Sequence, residues 1–424
     1  MIKYKKIQEK INKRIDTLTK NYKKSYDYYL NELKENYPKK KETGKEEYEF
    51  KNTTYRLENS EYMFYEFDTF DFGAVAALNS SQYEIIENVR IDYCIFKNCN
   101  IKNMVFKNCS FSGCVFEKVY FHNVSFENCI FSVPVIEKGN VGVDDIYYST
   151  TVFKKCTFVA NFINCNIENV LFQKTNFTLS EFNNCLLQFS VFDMCAVSEL
   201  KIKQCNLCDF SIINTDILDI NFLEPNSTIV NENTLIDYKL NVNKQNEKAK
   251  TKSGWIFNNY EELCTKKART ILEISKVFSY NNMPKLEGEY FYRSKLIELR
   301  GLKSWDKIKS IVSLIVCGYG ERPLYTFFTI LATILIFGVI YMFCGIQADC
   351  RIINYPCNEA VGICNIISDL GKCMFFSVTT FSTVGYGNYV PLGTSSMIFS
   401  AIHMILGVGL CALWTGCMLR KLIR

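Results

Sequence analysis

An apolar side chain returns every fifth residue over more than a hundred residues of this chain. The series starts at Ile86 and runs through Ile91, Phe96, Ile101, Phe106, Phe111, Phe116, Phe121, Phe126 and Phe131, and it resumes at Phe153 and Phe158. One four-residue step leads to Phe162, then Ile167, Phe172, Phe177, Phe182, Leu187, Phe192, Val197, Ile202, Leu207, Ile212, Ile217 and Phe222. A helix repeats near 3.6 residues and a strand near 2, so a period of five needs short segments wound into stacked coils. Two positions before the apolar residue sits a smaller one, and ten times it is cysteine: Cys94, Cys99, Cys109, Cys114, Cys129, Cys156, Cys165, Cys185, Cys195 and Cys205.

This pattern resembles the pentapeptide-repeat family, and the resemblance implies a right-handed quadrilateral β-helix with one repeat per face. The large residue would fill the axis and the small one would pack inward at the corner. Four repeats per coil predict about six coils over residues 84–224, a rod of roughly 30 Å at the inter-strand spacing, with residues 132–150 as an insertion. Cysteine stands where the family usually carries alanine, which a buried thiol can replace as a small hydrophobe. With Leu207 axial, Cys205 points inward and Cys208 outward, so that pair does not converge on a metal. Residues 84–224 hold 11 Lys and Arg against 16 Asp and Glu, a net of −5. So weak a charge over so much surface argues against a rod that mimics DNA, and the overall +5, from mixed charges, points to no nucleic-acid partner.

The flanks read as helical. Ile7, Ile11, Ile15, Leu18, Tyr22, Tyr26, Tyr29 and Leu33 form an amphipathic stripe within residues 1–40, ended by Pro38. It is expected to cap an end of the rod, as solenoids require, with subunit pairing as the alternative. Residues 225–254 read as a linker. Two amphipathic stretches within residues 255–300 flank Asn281-Asn282-Met283-Pro284, an αα-hairpin signal. A third, residues 301–318, carries Trp305, Ile308, Val312 and Ile315 beside Lys303, Lys307 and Lys309, which suits a helix lying on a lipid bilayer.

Two uncharged runs of 22 residues follow, Leu324–Gly345 and Met397–Met418, the latter interrupted only by His403. Each can cross a hydrocarbon core of about 30 Å, so spans are expected at 324–345 and 395–419. Between them lies Thr383-Val384-Gly385-Tyr386-Gly387, preceded by Phe375-Phe376-Ser377-Val378-Thr379-Thr380-Phe381-Ser382. Residues 371–388 resemble the pore helix and selectivity filter of two-transmembrane potassium channels, and Gly318-Tyr319-Gly320-Glu321-Arg322-Pro323 looks like the turn that precedes the first span in bacterial channels joined to pentapeptide repeats. The bare tripeptide Gly318-Tyr319-Gly320 shows how little Gly-Tyr-Gly means outside that setting. Basic residues before the first span and after the second place both termini in the cytoplasm of a cell-membrane protein. No cleavable signal peptide is visible at Met1-Ile2-Lys3-Tyr4-Lys5-Lys6.

The resemblance implies a homotetramer in which the carbonyls of Thr383, Val384, Gly385 and Tyr386, with the Thr383 hydroxyl, hold K+, while Gly385 and Gly387 permit the needed backbone angles. Tyr386 would face away and pack on the pore helix. Gly407 falls where such channels carry a hinge glycine, and Val408, Cys411, Thr415 and Leu419 follow on one helical face as cavity and gate lining. His403 is expected as a packed neutral side chain. Relatives often have an acidic residue in the pore helix and another after the filter, whereas Thr379 and Asn388 stand here, so a carboxylate clamp behind the filter is expected to be absent. A disulfide among Cys350, Cys357 and Cys364 is weighed evenly against free thiols. Two other classes remain open, a non-selective cation pore and a membrane-tethered interaction protein. With only His122 and His403, and no metalloprotease or P-loop spacing, an enzyme is not expected, nor any cofactor beyond the permeant ion. The expected partners are the bilayer, identical subunits, and an unidentified cytoplasmic ligand or protein on the β-helix.

Overall fold

The computed structural model describes residues 2–33, 38–43, 54–55, 57, 61–73, 83–135, 147–237, 242–245, 248–251, 256–257, 260–348, 351–355 and 363–423. Two units divide the chain, residues 1–301 and residues 302–424.

In the first unit the five-residue period becomes a four-sided parallel β-helix. One face stacks nine strands, from Lys40–Thr43 and Tyr65–Asp68 through Ile95–Lys97, Val115–Glu117, Val152–Lys154, Leu171–Gln173, Val191–Asp193 and Ser211–Ile213 to Leu235–Ile236. All twenty-five axial residues read from the sequence are buried, none more than 4% exposed. Their rings form columns along the axis: Phe96 on Phe116, Phe116 on Phe153 and Phe153 on Phe172, each at 4.8 Å between centroids. That spacing is the inter-strand distance itself, so backbone ladders and ring stacks share one repeat.

The corners explain a regularity that periodic hydrophobicity alone does not. Two residues after each axial position the backbone repeatedly enters the left-handed region, at Asn88, Asn98, Asn103, Asn108, Asn123, Asn128, Asn164, Asn169, Asn184 and Asn214 among others. Asparagine tolerates that conformation because its short amide bonds locally. Neighbouring amides also bond between coils, Asn128 Nδ2 donating to Asn108 Oδ1 at 3.1 Å and Asn184 Nδ2 to Asn164 Oδ1 at 2.9 Å. After Phe111 the corner residue is Gly113, and a Cβ there would run into the Tyr93 ring.

The ten inward cysteines are all buried free thiols. Cys109, Cys129, Cys165, Cys185 and Cys205 stand in one column, and each donates S–H to an axial residue's carbonyl one coil back, for example Cys165 to Phe126 at 3.2 Å and Cys185 to Phe162 at 3.3 Å. Burial pushes the Cys156 thiol up to about 12, so it stays protonated and inert at neutral pH.

Three expectations change. The rod is longer than six coils: before residue 84, Leu57, Tyr62, Phe67 and Phe72 keep the five-residue spacing with buried side chains, and after residue 224 the strand Leu235–Ile236 continues the stack. Residues 225–254 are therefore not a plain linker: Val230 and Ile236 join the core, and Val242–Gln245, Lys248–Thr251 and Ile256–Phe257 form an antiparallel sheet. Lastly, helix α1 (Ile2–Leu33) does not cap an end. Its Ile11, Ile15, Leu18 and Tyr22 lie along the outside of the nine-stranded face, on Val115, Val152, Leu171, Val191, Ile213 and Leu235, with Arg14 paired to Asp209 at 3.3 Å. The end is covered instead by the hairpin of α2 (Tyr260–Tyr280) and α3 (Pro284–Gly301), whose Ala268, Ile271, Ile274, Val277, Phe278, Tyr290 and Ile297 complete the axial core. Lys267 is buried there, and burial holds its ammonium below the ordinary lysine range while Asp216 and Asp237 act in the opposite sense.

The second unit is helical. It comprises α4 (Ser304–Cys317), α5 (Pro323–Cys344), α6 (Ile363–Phe381) and α7 (Thr394–Ile423). Both α5 and α7 are long and apolar enough to cross a membrane. Strands Ile346–Ala348, Arg351–Ile353 and Tyr389–Pro391 form a small antiparallel sheet beside them.

Candidate functional site: the filter segment and its frame

Helix α6, whose last nine residues Cys373–Phe381 carry no charge, runs directly into the segment singled out in the sequence. Its last turn hands over through three backbone bonds: Thr383 N–H donates to Thr380 O at 3.1 Å, and the N–H groups of Val384 and Gly385 donate to Thr379 O at 3.0 and 3.4 Å. Thr383, Gly385 and Gly387 all have positive φ, at 57°, 55° and 83°. Alternating left-handed residues turn successive peptides the same way, which gathers N–H groups on one side and leaves carbonyls on the other. Sequence reasoning assigned this freedom to Gly385 and Gly387; Thr383 shares it. Among the described residues no backbone hydrogen bond ends on the carbonyls of Thr383, Val384, Gly385 or Tyr386. Such a row of unpaired oxygens can replace the water around a cation.

Within one chain the segment is held from behind only. Tyr386 stacks on Phe375 of α6 at 5.9 Å, as expected, and Tyr389 packs on the same ring at 5.2 Å. Yet Val384 is 56% exposed and Tyr386 68%. Gly385 and Gly387 have nothing within 4 Å of a built Cβ.

Around the filter the helices fit closely. Ser377 Oγ donates to Ile334 O at 2.7 Å, tying α6 to α5. On α7, a Cβ at Gly407 would strike the Phe381 carbonyl oxygen, and the helix runs through this position unbroken. Close packing thus accounts for the glycine that the sequence reading took as a hinge. His403 is fully buried, stacked on Phe337 at 4.1 Å and 3.2 Å from the Tyr341 hydroxyl through Nδ1. The proposed lining residues Val408, Cys411, Thr415 and Leu419 are all exposed, and Thr415 Oγ1 bonds back to Cys411 O at 2.9 Å. At the other end of α7, Arg420 pairs with Glu321 of the α4–α5 turn at 3.0 Å. Trp305, Ile308, Val312 and Ile315 of α4 are exposed, Trp305 at 73%.

A buried carboxylate network does exist, though not at Thr379 or Asn388. Asp369 of α6 is wholly buried and accepts from Arg351 Nη2 at 2.9 Å and Tyr355 Oη at 3.1 Å. Sequence reasoning missed it, although Asp369 is the one acidic side chain between residues 360 and 424. A lone carboxylate in so apolar a stretch was the available signal. Thr379 Oγ1 merely bonds back to Phe376 O at 3.0 Å. Cys350, Cys357 and the Cys364 side chain, weighed for a disulfide, lie outside the described residues. Among the described residues no cluster of His, Cys, Asp and Glu is arranged to hold a metal.

This geometry agrees with the family matches. Residues 329–424 match the family described as ion channel, and residues 86–132 match pentapeptide repeats. The chain thus joins an ion-channel segment to a pentapeptide-repeat segment, and is membrane-associated through the former. Similar solved structures include a trypsin-treated form of QnrB1, a plasmid-mediated fluoroquinolone resistance protein, at 14% identity over 41% of this chain and 90% of that one, with a TM-score of 0.20. Another is HetL, a pentapeptide repeat protein involved in heterocyst differentiation regulation from the cyanobacterium Nostoc sp. strain PCC 7120, at 8% identity over 44% and 87%, with a TM-score of 0.22. No curated protein matches the chain.

Proposed function

We propose that this chain is one subunit of a fourfold, potassium-selective channel of the cell membrane, with both termini in the cytoplasm. The row of carbonyls from Thr383 to Tyr386, accepting no backbone hydrogen bond and backed by α6, carries the reading. One strand cannot surround an ion, and a closed ring of copies about an axis gives each exposed filter strand its neighbours. There K+ exchanges water for carbonyl oxygens and the Thr383 hydroxyl. The carboxyl end of α6 adds about half a negative charge per subunit and favours a cation. Val408, Cys411, Thr415 and Leu419 line the path below, and α4 lies in the membrane interface through Trp305.

The β-helix serves as a cytoplasmic regulatory element that biases the gate when a ligand or protein binds it. Neither an enzymatic activity nor a cofactor enters this reading, and nucleic acid is not a partner. Purified protein in liposomes should release K+ far faster than empty vesicles, with block by barium and a reversal potential following the K+ gradient in mixed sodium and potassium. Reversal at the potential of a pore indifferent to the two ions would replace it with a non-selective channel. No flux under any condition would leave the membrane-tethered interaction protein. Deletion of residues 1–250 should alter open probability.

A further inference from the structure

Both ends of the filter are joined through a single carboxylate. Leaving Gly387, the chain enters strand Tyr389–Pro391, which pairs with Ile346–Ala348 by placing Tyr389 opposite Ala348. Ala348 also faces Arg351 of the third strand. The Arg351 guanidinium reaches Asp369, and the Tyr355 hydroxyl donates to the same Oδ2. Asp369 belongs to α6, whose far end delivers the chain to Thr383. The path from filter to strand, sheet, arginine, carboxylate and helix returns to the filter.

The parts of this circuit are stiff. Ile346, Ala348 and Ile353 are buried beside Tyr341, Cys373 and Phe376 in one core, and Phe375 receives rings from both Tyr386 and Tyr389. The Asp369 side chain is fully buried while that of Arg351 is 42% exposed. The carboxylate therefore depends on these two donors, and withdrawing the charge it presents to them loosens the sheet from the helix.

We propose that Asp369 is a positioning residue for ion permeation: through Arg351 and Tyr355 it fixes α6 against the strand leaving the filter, and so sets the spacing of the carbonyls from Thr383 to Tyr386. The inference rests on reading those carbonyls as the potassium path. It gives this chain, on an outer strand, the restraint that Thr379 and Asn388 do not supply.

The test uses the full-length protein in planar bilayers with mixed sodium and potassium. Asp369→Asn, which keeps shape and removes charge, should lower steady K+ current roughly tenfold, the factor that about 1.4 kcal/mol represents, and raise the sodium-to-potassium permeability ratio. Arg351→Gln should act in the same direction, the double variant should be no worse than Asp369→Asn alone, and Asp369→Glu should recover part of the selectivity. Should Asp369→Asn fail to assemble, Arg351→Gln decides, because its side chain is partly exposed. If the unmodified protein selects potassium while Asp369→Asn and Arg351→Gln keep its permeability ratio and current, the positioning role is overturned and the channel reading stands. If the unmodified protein passes no potassium, the channel reading falls first and this inference with it.

Discussion

The rod and the pore unit satisfy their residues in opposite ways. In the rod one chain is enough: axial rings stack on axial rings, buried thiols find carbonyls, and corner amides bond to the next coil. In the pore unit the residues of greatest interest, Val384, Tyr386 and Val408, lie bare, and the filter oxygens accept nothing from the backbone. In the proposed fourfold channel, further copies would cover that surface. The axial core of the rod is completed within one chain, whereas the proposed channel makes the stability of the filter segment a property of an assembly.

The sharpest way to break this contrast is Gly385→Val. Its positive φ forbids a branched side chain, so K+ flux should vanish while far-UV circular dichroism of the β-helix stays unchanged. A rod that melts together with the filter would show that the units are not independent. Next comes Phe116→Ala, which empties a site between Phe96 and Phe153 and should cost about 3–5 kcal/mol in denaturant unfolding of the β-structure. Gly407→Ala tests whether the pore is as tightly fitted as the rod. The new methyl meets the Phe381 carbonyl, and a loss of about 1–3 kcal/mol should appear as a lower temperature of oligomer dissociation. A smaller effect is expected at a corner: Asn128→Ala should cost about 1 kcal/mol and Asn128→Gly a few tenths, since glycine keeps the left-handed backbone and loses only the ladder bond.

Alkaline titration separates the units at finer scale. Lys267 has a folded pKa below its unfolded value, so between the two the unfolded chain binds more protons and stability rises with pH. The β-helix with its hairpin should therefore gain resistance to denaturant as pH approaches the ordinary lysine value, and Lys267→Met should flatten that slope.

Much of the rod was legible because a strict period announces identical environments, and the axial phenylalanines are all where the spacing put them. Its limits were less so: Leu57, Tyr62, Phe67 and Phe72 carry the same spacing but are cut off from Ile86 by a break in the series, and the coil at Ile236 rests on stacking against an existing coil. The place of α1 was half legible. Val115, Val152, Leu171 and Val191 precede their axial phenylalanines in consecutive coils as an unbroken apolar run, whereas on the other faces such residues, Val105, Ile130 and Leu186 among them, alternate with polar ones, and that run marks the covered side. In the second unit, the two long apolar helices were readable from charge-free runs, and the helix before the pentapeptide from the apolar residues leading into it. Asp369 and Arg351 were not paired in advance, because they lie 18 positions apart and nothing local couples them.

The break in the repeat between Phe131 and Phe153 closes on itself. Pro134–Val135 pairs with Tyr147–Tyr148, and the next coil continues with Ile130 bridged to Asn166 as though nothing had intervened. The winding therefore records coil register, not chain length, and this clasped excursion is a natural port for splicing in a fluorescent reporter that would ride on the rod without unwinding it.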